Sequence, residues 1–330
     1  MTPAVLRRCA GVRRSLRRLA AGLAAVALAT GAHAQDSWPA RPVKIVAPFA
    51  PGGSADTLAR IVAEKLATRL GPNFVVENRA GAGGIMGSDF VAKATPDGYT
   101  LVVSGVASHV IAPAMQSAPF DPLHSFSHIA LLGGPPVVLV VTPGLEARDL
   151  SEFIALSKVR AGGLAFGSPG QGTQAHLTAE MLKGLTGANL THVPYKGAAL
   201  AIVDLMGGHI PAASTTLTTA ATQIKAGKAR ALALSSPKRL HEFADVPTFV
   251  ESGYPDLVAT VWFSLSGPAG VPQPIVAKLN AEVRAILQLP DVRERLQPEG
   301  IEPNDLDAAA FTEFVRAEIA RWTALAKAMK

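Results

Sequence analysis

After residue 42 the hydrophobic positions of the chain change period repeatedly. An apolar run at 43–49 gives way to Ala50-Pro51-Gly52-Gly53-Ser54-Ala55-Asp56, and Leu58, Ile61, Val62, Leu66 and Leu70 then recur at helical spacing until Gly71-Pro72 ends them. A short apolar run, a glycine turn and a 3.6-residue period predict strand, tight turn and a helix over 57–70. Residues 74–77 and 99–104 read as two more strands, and Gly81-Ala82-Gly83-Gly84 opens a helix between them. Asp149-Leu150-Ser151-Glu152 has the spacing of a capping box with Asp149 as the cap, and its helix ends near Gly162-Gly163. Further strands are predicted at 164–167, 190–193, 210–213 and 231–234. Phe311, Phe314, Val315, Ile319, Trp322 and Leu325 share one face of a long C-terminal helix. Short strands alternating with helices predict an α/β protein built on parallel sheet.

Two apolar stretches, 129–141 and 258–266, break the alternation, and they bracket what reads as a complete α/β unit. They predict two domains joined by two extended crossovers: 35–136 and 258–330 form the first, and 137–257 the second. Ligands of open α/β sheets sit beyond the carboxyl ends of the strands, so a cleft between the domains collects the glycine loops.

Charge changes the picture only through its location. The chain of 330 residues carries a formal net charge of +6, with 31 basic and 25 acidic residues. Six of the basic residues, Arg7, Arg8, Arg13, Arg14, Arg17 and Arg18, lie in the first 34 positions, which hold no acid. The remainder is balanced, which argues against nucleic-acid binding. Those 34 residues have an Arg-rich start, an apolar stretch at 19–28 and Ala32-His33-Ala34, the layout of a secretory signal cut after Ala34. Arg13-Arg14-Ser15-Leu16 also resembles a twin-arginine signal, so the export route stays open. The single Cys9 precedes the apolar stretch, so the mature chain has no thiol. An exported, thiol-free chain of this size fits a bacterial periplasm.

The turn at 49–56 is candidate chemistry. Adjacent glycines bring bare N–H groups close to a ligand, Ser54 or Asp56 can cap the next helix, and a helix start favours an anion without Lys or Arg. On this reading Gly52 and Gly53 act through their lack of a side chain. Enzyme patterns are absent or incomplete. No G-x-S-x-G occurs, and Gly167-Ser168-Pro169-Gly170 with His176 is only a look-alike of a nucleophile elbow. Gly81-Ala82-Gly83-Gly84-Ile85-Met86-Gly87 misplaces the last glycine of a dinucleotide fingerprint. Histidines are scattered without H-x-x-x-H spacing, so neither a metal nor a cofactor is expected. A periplasmic hydrolase of carboxylate esters is the competing reading.

Several motifs together resemble the Bug family, the solute receptors of tripartite tricarboxylate transporters. They are Pro51 to Asp56, Val76-Glu77-Asn78-Arg79, Gly81 to Gly84, Pro96-Asp97-Gly98-Tyr99-Thr100, Gly167-Ser168-Pro169-Gly170-Gln171-Gly172-Thr173, His192-Val193-Pro194-Tyr195-Lys196-Gly197 and Asp245-Val246-Pro247-Thr248. The resemblance implies a two-domain periplasmic binding protein fold (type II) that closes on a small carboxylate and hands it to an integral-membrane permease, with no enzymatic step and a monomeric receptor. It places the first carboxylate on Gly52, Gly53, Ser54 and Asp56, with Gly83 and Gly84 facing the same cleft. Ser168, Gly170, Gly172 and Thr173 come from the other domain, and Ser104 and Ser108 follow the third strand. Tyr195 and Lys196 read equally as cleft lining or surface turn. Ser214-Thr215-Thr216 stands where many relatives carry an acidic or amide pair. Thr215 and Thr216 therefore point to an amine-free ligand, because a buried ammonium needs an acidic partner. Phe49, Trp262 and Phe263 are candidates to flank an apolar or aromatic ligand body.

Overall fold

The computed structural model describes residues 38–71, 73–259, 261–301 and 304–328. The signal-like segment and its cut after Ala34 lie outside them. Residues 42–330 form one compact unit. It opens with β1 (Val43–Ala47), α1 (Ser54–Leu70), β2 (Phe74–Asn78), α2 (Ile85–Ala92), β3 (Thr100–Gly105) and β4 (Phe126–Gly133). It continues through β5 (Val137–Val141), α3 (Leu150–Val159), β6 (Leu164–Ser168), α4 (Gln174–Thr186), β7 (Leu190–Pro194), α5 (Ala198–Met206), β8 (Ala212–Thr216), α6 (Leu217–Lys225) and β9 (Arg230–Leu234). Last come β10 (Phe263–Pro268), α7 (Gln273–Leu287), α8 (Pro290–Leu296) and α9 (Ala308–Ala328).

The strands form two five-stranded sheets with matching orders, β2-β1-β3-β10-β4 and β7-β6-β8-β5-β9. Each sheet defines a lobe. The expected parallel sheets are mixed, because β10 runs antiparallel to β3 and β4, and β5 antiparallel to β8 and β9. Both exceptions are strands that arrive from the other lobe, without the helical crossover that would turn the chain back to a parallel course. The apolar run at 129–141 accordingly splits into β4 and β5 around Gly134-Pro135-Pro136, where the prolines have no N–H to extend a ladder. The second crossover runs beside the first, with the Val261 amide donating to the Pro135 carbonyl at 3.2 Å.

Burial follows the period of each element. In β5, Leu139 and Val141 join a core with Phe153, Phe166 and Leu182, while Val138 and Val140 face a second core with Ala201, Leu205 and Leu217. Helices on both faces of the sheet thus explain why this strand reads as an unbroken apolar run. Asp149 caps α3 as expected: its Oδ1 accepts the Glu152 amide at 2.8 Å, and Glu152 reaches back to the Arg148 amide at 2.7 Å. The strand predicted at 210–213 begins at Ala212 and runs to Thr216, which puts three hydroxyl residues into the sheet. Helix α9 returns to pack on β4 of the first lobe.

Candidate ligand cleft

Between β1 and α1 the chain turns as predicted, but the helix begins at Ser54, with Gly53 as an extended N-cap that makes no side-chain cap bond. Neither Ser54 nor Asp56 is the cap. Instead Asp56 Oδ2 accepts the Gly52 amide and Arg60 Nε, both at 3.0 Å, and Oδ1 accepts Asn78 Nδ2 at 3.0 Å. Burial pushes the Asp56 carboxyl up, but the bonds from Arg60, Gly52 and Asn78 together hold it below the usual carboxylate range. Gly52 and Asp56 are therefore committed to shaping the turn. The amides left over at the cleft are those of the first helical turn, Ser54 and Ala55, which have no intrahelical acceptor. Replacing Asp56 with alanine orphans the Gly52 and Asn78 donors together, and the expected loss is roughly 2 kcal/mol of stability, readable as a lower urea midpoint with an unchanged slope.

The matching loop of the second lobe follows β6. Ser168 Oγ accepts the Gly170 amide at 3.1 Å, Thr173 Oγ1 donates to the Gly170 carbonyl at 2.7 Å, and the Gly172 amide donates to His176 Nδ1 at 3.3 Å. Thr173 Oγ1 also accepts the His176 amide as the N-cap of α4. These four candidates thus fold the loop, and the free donors it presents are the amides at the start of α4.

Two adjoining cavities lie between the lobes, with Phe49 and Pro169 in the wall of both. The first is formed by four helix starts: Gly53, Ser54 and Ala55 of α1, Thr173 to Ala175 of α4, Ala198 of α5 and Thr216 before α6. Ala107, Val261 and Phe263 complete it, and among the described residues no charged side chain lines it. The second is bounded by Gly81 to Gly84, Gln116, Gln171 and Tyr195, and among the described residues Lys196 is the one charged residue in its wall. The Tyr195 hydroxyl donates to Asp204 at 2.6 Å, and burial, then Asp204, push it up to about 12.

The lobes are closed on each other. The Ala50 amide donates to the Lys196 carbonyl at 3.1 Å, and the Ser54 and Thr216 hydroxyls meet at 2.6 Å. Gly83, at φ +63°, sits so close to the second lobe that a Cβ there would lie 2.6 Å from the Gln171 carbonyl oxygen. Gly53 differs: a Cβ would meet nothing nearer than 3.9 Å. A glycine is required where the lobes touch at Gly83, and not at Gly53 as the turn motif alone implied.

The remaining candidates are placed unevenly. Ser104 lies within the sheet, paired with Ser264 at 2.9 Å, and Thr215 is fully buried in β8. Ser108 is buried behind Gly84, whose Cβ would fall 2.5 Å from the Ser108 Cβ. Trp262 turns away from the cleft to give its Nε1–H to Glu318 at 2.8 Å, while Phe263, the first residue of β10, faces the cavity. Ser168 Oγ lies 2.6 Å from His192 Nε2, a nucleophile-like spacing, but Ser168 has no exposed surface and its hydroxyl is shared with Gly170. Ala107, Ala175, Ala198 and Val261 were missed, since small apolar residues carry no chemical signature; the glycine before Ala198 was the available clue to a helix start.

Residues 58–330 match the family described as tripartite tricarboxylate transporter family receptor. Protein BugT of Bordetella pertussis is 38% identical over 294 residues, covering 88% of this chain and 90% of its own. An R. palustris protein solved with adipate superposes with a TM-score of 0.84 at 33% identity, covering 88% of this chain and 97% of the other. MatC of Rhodopseudomonas palustris with bound malate gives 0.83 at 33% identity, covering 88% and 100%. The fold is thus that of periplasmic solute-binding receptors, and the chain belongs to the tripartite tricarboxylate transporter receptor family, with the Bug proteins.

Proposed function

We propose that the cleft captures an amine-free carboxylate, mono-, di- or aromatic, and that the receptor hands it to a tripartite tricarboxylate-type membrane permease or to a sensor. The observation that carries this reading is the first cavity, where four helix starts converge on a space without a cationic or acidic side chain. Helix starts stabilise a carboxylate through unpaired amides and the dipole. A ligand ammonium would find no acid in that wall, and an unpaired buried charge costs several kcal/mol. Phe49, Val261 and Phe263 suit an apolar ligand body. The adipate and malate carried by two relatives are both carboxylates, which supports the class. The receptor works as a periplasmic monomer released by cleavage after Ala34, and its hinged domains are 35–136 with 258–330, and 137–257.

A thermal-shift screen of the mature protein against carboxylates, amino acids, sugars and cations tests the reading. A ligand at about 100 times its dissociation constant adds ~2.7 kcal/mol. Carboxylates without an amine are expected to raise the melting temperature, and aspartate is not; a hit from a sugar or cation alone removes the reading. Because the donors are backbone amides, Lys196→Ala is expected to change affinity less than about threefold, and moderate salt to weaken it only slightly. Calorimetry with the best hit measures both, and loss of binding in Lys196→Ala would move the anchor to the second cavity.

A further inference from the structure

The loop at 168–173 is braced from behind by a stack of rings. Phe166 and His192 stack with centroids 5.1 Å apart, and His192 and His176 at 4.0 Å, both pairs 28° from parallel. These rings come from three elements, β6, β7 and α4, and each imidazole holds one end of the loop. His192 Nε2 binds Ser168 Oγ at 2.6 Å, and His176 Nδ1 accepts the Gly172 amide at 3.3 Å. An amide can donate only to an unprotonated nitrogen, so His176 carries its hydrogen on Nε2, toward Glu180 Oε1 at 3.9 Å. Gly172 in turn presses on the first lobe, where a Cβ on it would lie 3.1 Å from Ala112 Cα. The brace thus controls a loop that both contacts the opposite lobe and aims the start of α4 at the cavity.

We propose that His176 is a positioning residue for ligand binding: its neutral Nδ1 fixes the Gly172 amide, and protonation of the ring releases the loop and weakens the cleft's hold on its ligand. With Nδ1 protonated, two N–H donors face each other and the Gly172 bond is lost. Among the described residues, the charged and titratable groups acting on the ring are Glu180 and Lys183 on α4 and His192 from β7; β6 presents Phe166 and Ser168, and the segments 106–111 and 255–257, which also pack on α4, carry His109 and Asp256. Burial first holds His176 below its usual range, Glu180 opposing and Lys183 assisting. Burial, then the charge of His176, pushes His192 down to about 4. The release therefore falls below neutral pH, and His176 cannot be charged without burying that charge against a second imidazole.

Two variants separate the brace from simple packing. His176→Asn keeps an acceptor near the position of Nδ1 but does not titrate, and His176→Leu keeps bulk but has no acceptor. In the ligand-free protein, amide exchange at Gly172 is expected to be slow at about pH 7.5 in the wild type and the Asn variant, and fast in the Leu variant. Between about pH 7.5 and 5, wild-type protection is expected to fall beyond the intrinsic pH effect, while the Asn variant keeps its protection. Calorimetry with adipate as probe is expected to show about tenfold weaker binding for the Leu variant at the higher pH. On acidification the wild type is expected to lose at least about fivefold more affinity than the Asn variant, and adipate's own protonation affects all three proteins alike. Equal Gly172 exchange in all three proteins would overturn the proposal. Only the binding arm rests on the carboxylate reading: if adipate fails to bind the wild type, that arm counts against the reading, and the exchange arm still decides the brace.

Discussion

Alanine at Gly83 is expected to weaken ligand binding by about tenfold or more, roughly 1.4 kcal/mol, without unfolding the protein. Gly83 adopts φ +63°, which costs an L-residue roughly 1 kcal/mol, yet that strain is local and acts on the open and closed forms alike. The selective effect comes from across the cleft. A methyl at Gly83 would sit 2.6 Å from the Gln171 carbonyl oxygen of the second lobe, whereas its 3.1 Å approach to Ala112 Cβ lies within the first lobe and acts on both forms. A backbone carbonyl cannot rotate away as a side chain does, so the simplest relief is for the lobes to part. Binding in a two-lobe receptor draws on closure, and a hinge held open loses that share of the affinity. Gly53→Ala is the control, because Gly53 has φ −91° and its Cβ would make only ordinary van der Waals contacts, 3.9 Å from the Ala50 carbonyl oxygen and 4.0 Å from Ala198 Cβ; its affinity is expected to stay within about threefold of wild type. Calorimetry on both variants, with small-angle scattering to read the radius with ligand, checks the pair. If Gly83→Ala binds and compacts like the wild type, the contact at Gln171 is not needed for closure.

The contrast between Gly53 and Gly83 also shows where a sequence informs and where it is silent. The turn after β1, the cap on α3 and the amphipathic face of α9 were all legible, because each depends on residues within a few positions of one another. Phe311, Val315 and Trp322 are buried as their spacing predicts. The mixed sheets were not legible, because the direction of β5 and β10 is decided by the crossovers and not by their own residues. For the same reason the glycine turn announced a close approach without saying to what: Gly52 gives its amide to Asp56, and the lobes touch through Gly83. The choice between Trp262 and Phe263 was open for a simpler reason. Phe263 opens β10 while Trp262 precedes it, and the apolar run that holds both does not reveal where the strand begins or which of them reaches the cavity.

Acidification is expected to destabilise this protein before its carboxylates titrate, and a main source is a pair of imidazoles in the first lobe. His109 is almost wholly buried with neither ring nitrogen hydrogen-bonded, 4.0 Å from the Phe126 ring and 6.0 Å from His128. Burial first, then the charge of His128, holds His109 well below the usual imidazole range, and burial pushes His128 down to about 4. Both folded values lie below the unfolded value of about 6.5, so between them the unfolded chain binds protons that the native protein does not. Stability is then complete above about pH 6.5 and falls as the pH drops toward 4, by up to roughly 1.4 kcal/mol per unit for each histidine. Across two units His128, with its folded value at about 4, costs on the order of 2 kcal/mol, and His109 adds to the loss in the same direction, against the roughly 5 to 15 kcal/mol typical of a folded domain. Asp56 and Glu77, whose folded values are lowered, lose their contribution only below the usual carboxylate range, which keeps the two windows apart. Urea unfolding at about pH 7 and pH 5 is expected to show this loss in the wild type. In His109→Leu, which keeps an apolar filler among Phe120, Phe126 and His128, part of the slope is expected to vanish, His128, His176 and His192 retaining their shares, and stability at the lower pH to match or exceed wild type. An unchanged slope in the variant would place the acid sensitivity elsewhere, with His176 and His192 as the next groups to replace.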